Sequence, residues 1–110
     1  MKTEDFRLKL IWEKYLRHWT SNPVKWNNDG SVTILDGGYG ISVPLYFKLK
    51  NLPFKFDKIY GNADFSGVGL ENLKNFPNYV RNTLYVDKTE IITRKNVCKI
   101  CKVDGSLIVY

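Results

Sequence analysis

Residues 49–65 read LKNLPFKFDKIYGNADF, and residues 73–86 read LKNFPNYVRNTLYV. Pro53 and Pro77 lie 24 residues apart, and Leu49 and Leu52 correspond to Leu73 and Phe76 at that same offset, whereas Ile59 and Val80 correspond at 21. A period in the twenties is that of leucine-rich repeats, in which each unit supplies a short strand and a turn and buries its apolar positions only against its neighbours. One unit and part of another are too few for a long solenoid. The flanking segments must therefore seal the repeats into one globule.

On the N-terminal side, Leu8, Ile11, Trp12, Tyr15 and Trp19 recur at three- and four-residue spacing. They predict an amphipathic helix over 4–19 with Trp12, Tyr15 and Trp19 in the core. Asp5 with Lys9 and Glu13 with Arg17 add acid-first pairs at i, i+4, worth about 0.2–0.5 kcal/mol each. The helix should stop near Trp19 or Thr20, because TSNP follows and Pro23 holds Asn22 in extended geometry. NNDG then separates Trp26 from Val32, Ile34 and Leu35, which predicts a turn joining two short strands. DGGYG (36–40) and SGVG (66–69) lack the downstream residues of a dinucleotide or phosphate loop and read as bends. At the other end, Val97 to Val103 and Leu107 to Tyr110 flank Asp104 and Gly105, a hairpin signal. The expected fold is a single α+β domain over 1–110. An N-terminal amphipathic helix (4–19) packs on a mostly β, leucine-rich-repeat-like partial solenoid (24–86), and a C-terminal β-hairpin within 88–110 closes it.

The order WNNDGSVTI, then LKNLPFKFDKIYGNADFSGVGLENLKNFPNYV, resembles the degenerate leucine-rich-repeat-like small proteins of tailed bacteriophages over residues 4–86. The resemblance rests on Leu52, Pro53, Phe56, Ile59, Gly61, Phe65, Ser66, Leu70, Leu73, Pro77 and Val80. The chain departs from that pattern at Asp64 to Ser66, which lacks the usual cysteine, and at Gly67 to Gly69, which replaces the usual asparagines. The resemblance implies a protein-interaction scaffold with no catalytic residues to carry over. Its expected role is to bind and inhibit or redirect a host or defence protein in the host cytoplasm.

Composition bounds the rest. A chain of 110 residues that is 44% hydrophobic and 15% aromatic is expected to fold around one core. No run of eighteen apolar residues suggests a membrane span, and MKTEDFRLKL is unlike a secretory signal. Cys98 and Cys101 lie too close together to staple a fold, so a cytoplasmic, reducing location is expected. A zinc site would need four ligands, and His18 is the only histidine, so no metal or other cofactor is expected. Buried or incidental thiols are the favoured reading, with half a metal site or a redox dithiol as alternatives. His18 has no nucleophile motif beside it. Asp29, Asp36, Asp57, Asp64 and Asp104 sit where turns favour Asp for backbone reasons, so no enzyme is expected.

Two binding chemistries remain. Tyr39, Tyr46, Tyr60, Tyr79 and Tyr85, with Arg81, are candidates for a protein interface, since tyrosine and arginine dominate interface hot spots. The alternative is RNA or DNA binding, which a net charge of +6 modestly favours. Arg94, Lys95, Lys99 and Lys102, with no acid between Ile91 and Val103, would then meet phosphates while Tyr85 or Tyr110 stacks on bases. A solvated strand face is the plainer account of those cations.

Overall fold

The structure, a computed structural model, describes residues 13–110. The expected helix segment 4–12, including Trp12, lies outside the described residues. The described helix α1 spans residues 13–19, and the chain leaves helical geometry at Thr20. Strands β1 (Val24–Trp26) and β2 (Val32–Ile34) pair antiparallel across the NNDG turn. Asp29 fixes that turn by accepting hydrogen bonds from the backbone N–H and the hydroxyl of Ser31, at 2.9 and 2.6 Å.

Beyond β2 the chain winds about three turns of a solenoid. Strands β2, β4 (Phe56–Ile59), β6 (Tyr79–Val80) and β8 (Lys102–Val103) line up in parallel as one sheet, with β1 on its first edge. Strands β3 (Gly40–Ser42), β5 (Asn62–Asp64), β7 (Leu84–Val86) and β9 (Leu107–Val109) form a second parallel sheet. Each coil places one strand in the first sheet, turns a corner into the second, and returns by a longer irregular or helical segment. Ile59 pairs with Val80 at the 21-residue offset read from the sequence, and Val80 pairs with Val103. The Leu49 and Leu73 segments are both irregular return stretches, and they feed β4 and β6 of the same sheet.

The core lies inside the coils. Val32, Ile34, Phe56, Ile59, Ala63, Val80 and Leu84 are wholly buried, because alternate residues of each strand face inward. A line of rings runs along it. Trp19 stacks on Phe54 at 6.0 Å, Phe54 meets Phe56 at 5.1 Å, Phe56 meets Phe65 at 5.8 Å, and Phe65 meets Phe76 at 5.7 Å. Each fully buried phenylalanine contributes roughly 1.5–3 kcal/mol relative to an exposed one. Leu52 and Phe76, the pair matched in the repeat, are both buried.

The structure corrects two expectations. Tyr15 is exposed, whereas α1 buries Trp19, as expected, together with Leu16. The C-terminal segments form no hairpin, since β8 and β9 belong to different sheets and each extends its sheet in parallel. Asp104 and Gly105 therefore turn a corner between sheets rather than reverse the chain. The residues expected to begin a strand at Val97 instead belong to the helix α2 (Arg94–Ile100). Thr93 caps its start by accepting the Asn96 N–H, and only Val97 of the helix is buried. A return segment must span from one sheet back to the other, and one helix face anchored on Val97 does so with its backbone hydrogen bonds satisfied.

Candidate interaction surfaces

Coil stacking sets residues about 21 to 25 positions apart directly above one another, at the 4.7–4.9 Å spacing of neighbouring strands. On the outer face of the first sheet this builds the column Lys58, Tyr79, Lys102. Two residues further on, at the corner between the sheets, the same register superposes Tyr60, Arg81 and Asp104. The two columns interlock. The Tyr60 and Tyr79 rings lie 5.9 Å apart, and the Arg81 guanidinium carbon sits 5.9 Å from the Tyr60 ring centre. Arg81 donates to the Asp36 carboxylate at 2.5 Å and to the Tyr60 carbonyl at 3.1 Å. The Tyr79 hydroxyl donates to Asp104 at 2.6 Å, and the Lys102 ammonium approaches the same carboxylate at 3.8 Å.

The electrostatics follow that geometry. Arg81 holds the Asp36 carboxyl below its usual range by hydrogen bond and by charge. Asp36 in turn raises Arg81. The hydrogen bond to Asp104 pushes the Tyr79 phenol up, since ionisation would remove the donated proton. The Asp36 side chain is 74% exposed and that of Arg81 36%, so water screens the pair. A solvent-exposed ion pair of this kind adds little to stability. Its larger effect is to hold two rings and a guanidinium in one arrangement.

A second aromatic group lies on the outer face of the second sheet. Tyr85 stands in register with Asp64 and Ile108, and its ring stacks on Tyr110 at 6.4 Å. Tyr39 lies within electrostatic reach of Asp64, Tyr85 and Tyr110, and partial burial first, then the Asp64 charge, raises its phenol. Tyr46 stands apart. Its ring tilts against Phe47 at 5.0 Å, and it is among the most exposed large side chains, beside exposed Leu45.

Of the six residues singled out for protein binding, the fold thus gathers Tyr60, Tyr79 and Arg81 at the corner. It sets Tyr39 and Tyr85 together on the second sheet and leaves Tyr46 elsewhere. Asp36 and Asp104, read from the sequence as turn formers, also orient the corner. For Asp104 the signal was present in the period: Tyr60, Arg81 and Asp104 follow one another at offsets of 21 and 23 residues. Arg94, Lys95 and Lys99 are exposed on α2, not on a strand. Lys102 lies on β8 against Asp104.

Cys98 is exposed on α2, while Cys101, at the helix C-cap, is buried and its thiol is pushed up to about 11 by desolvation. Among the described residues, no three His, Cys, Asp or Glu side chains gather as a metal-binding group. None of the described helices is long and apolar enough to cross a membrane. A groove between α1 and β1 is lined by Glu13, Leu16, Arg17, Thr20, Asn22 and Val24. Asn22 there donates to the Leu35 carbonyl and accepts the Gly40 N–H, and Thr20 donates to the Gly40 carbonyl. Those polar groups tie α1 to the first coil.

No protein-family model matches the chain, and no curated protein or solved structure was found to match it.

Proposed function

We propose that this chain is a small non-enzymatic protein-binding module of phage type, with a leucine-rich-repeat-like scaffold, which inhibits or redirects a host or defence protein in the host cytoplasm. The observation that carries the reading is the Tyr60, Tyr79 and Arg81 cluster, held from both sides by Asp36 and Asp104. Tyrosine and arginine supply large contact area and directional hydrogen bonds, and side chains already fixed lose less entropy on binding. Two neighbouring coils supply the cluster and the coils on either side supply the two acids, so it exists only in the folded protein.

The test is affinity purification from host lysate with wild type and with the Tyr79→Ala, Arg81→Ala double variant, each with and without nuclease. The expected result is a stoichiometric protein partner that survives nuclease and is lost in the variant. Retention of every partner by the variant, or loss of every partner to nuclease, refutes the reading.

A second reading is supported by α2, whose Arg94, Lys95 and Lys99 are exposed on a helix that carries no acid. On that reading the protein binds RNA or DNA through phosphate contacts. Three or four such contacts make the logarithm of affinity fall with that of salt at a slope of about −2 to −4. A salt series with labelled single-stranded oligonucleotides measures that slope, and a flat response excludes the reading.

A further inference from the structure

The last coil ends in two open strand edges. Lys102 and Asp104 donate their backbone N–H groups to Asn78 and Val80, so Val103 between them directs its own N–H and C=O away from β6. On β9, Ser106 accepts from Leu84 and Tyr110 donates to Val86, so Leu107 and Val109 likewise face away from β7. Among the described residues no strand pairs with these outer sides.

Burial changes at the same place. Val80, Leu84 and Val86 are 0–1% exposed, whereas Val103, Leu107 and Val109, stacked directly beneath them, are only partly buried. Ile91 and Ile100, 51% and 44% exposed, belong to the same coil. Edge strands ordinarily carry a lysine, a proline or a bulge that blocks further pairing. The sequence of β9, Leu107-Ile108-Val109, carries none of these.

Charge selects the occupant. In the last coil Asp104 is engaged by Tyr79 and Lys102, and Asp87 accepts the Gly67 N–H. Lys88, Arg94, Lys95 and Lys99 are all exposed, and Glu90 is the remaining acid against them. A second copy would bring an identical cationic excess to the interface and be repelled. An acidic strand meets complementary charge.

We propose that the β9 edge accepts an extended acidic segment of a partner protein as an added strand. Its backbone pairs with Leu107 and Val109, its alternate apolar side chains cover those residues, and its carboxylates face the cations of the last coil. This surface shares no residue with the Tyr60, Tyr79 and Arg81 cluster and stands or falls separately from it.

The test is fluorescence anisotropy with a short labelled peptide alternating valine and glutamate. Its controls are the lysine counterpart and a version N-methylated on alternate backbone nitrogens. Saturable binding of the acidic peptide is expected, at least about tenfold tighter than either control. Val109→Pro, which removes an N–H aimed at the open edge, should abolish binding while circular dichroism stays native. If that variant fails to fold, Leu107→Lys and the N-methylated peptide decide the matter. Tyr79→Ala should leave peptide binding unchanged. Absence of binding by the acidic peptide overturns the proposal, as does equal binding of either control. A concentration-dependent dimer in sedimentation that Val109→Pro dissolves overturns it too, since a second copy would then occupy the edge.

Discussion

Replacing Gly40 by alanine tests how closely the coils stack. Gly40 begins β3 at φ +120°, and a Cβ there would lie 2.0 Å from the Asn62 carbonyl oxygen and 2.4 Å from its nitrogen. Ordinary contact requires a retreat of about 1.4 Å by β5, which is backbone and cannot rotate away. That retreat breaks the 2.7 Å hydrogen bond from Asn62 N–H to the Tyr39 carbonyl and disturbs the Gly40 N–H bond to Asn22. Backbone strain costs about 1–3 kcal/mol, and two hydrogen bonds at about 0.5–1.5 kcal/mol each bring the loss to about 4 kcal/mol. That is a large share of the 5–15 kcal/mol typical of a domain. Gly30→Ala is the internal control, for its φ is +87° but nothing lies within 4 Å of the added carbon. It should cost about 1–2 kcal/mol from strain alone. Urea denaturation followed by tryptophan fluorescence, with Trp19 buried and Trp26 half-buried, measures both. Losses equal within about 0.5 kcal/mol would refute the close stacking of β3 on β5.

Leu84→Ala should cost about 3–5 kcal/mol and Leu107→Ala about half that, because the same inward position is fully buried in one coil and partly exposed in the next; equal shifts in urea midpoint would mean that the last coil is closed. Iodoacetamide at pH 8 should label the exposed Cys98 in the native protein and reach Cys101 only on unfolding, read by intact mass; double labelling of native protein would contradict the burial of Cys101. The carboxyl of Asp36 should titrate by NMR below its ordinary 3.8, and Arg81→Ala should move the midpoint back up toward that value. Because the folded pKa is depressed, the pair's small stabilisation is present above about pH 4 and is lost as pH falls through the folded midpoint; an unchanged midpoint in the variant would dissolve the pair.

The repeat offset was legible because stacked parallel strands force inward positions to recur. Ile59 over Val80 is both a sequence match and a strand pair. Turn chemistry was legible for a similar reason, since Asp29 and Gly30 have local backbone roles that no distant residue alters. Less legible was the segment after Val86, where Val97 to Val103 carries residues that suit a strand. Thr93 caps α2 in the structure, and whether such a cap outweighs strand propensity depended on the distance the chain had to cover between sheets.

By itself, then, the sequence determined the short-range features: the hairpin at Asp29 and Gly30, the end of α1 near Trp19, and a period in the low twenties. Only the tertiary structure decided that β8 and β9 extend two sheets instead of pairing with each other, and that Asp36, 45 residues before Arg81, grips its guanidinium. The physical reason is the same in both cases. Local backbone preferences are encoded within a few residues, whereas the partners of an edge or a charge are set by which coil comes to lie above which.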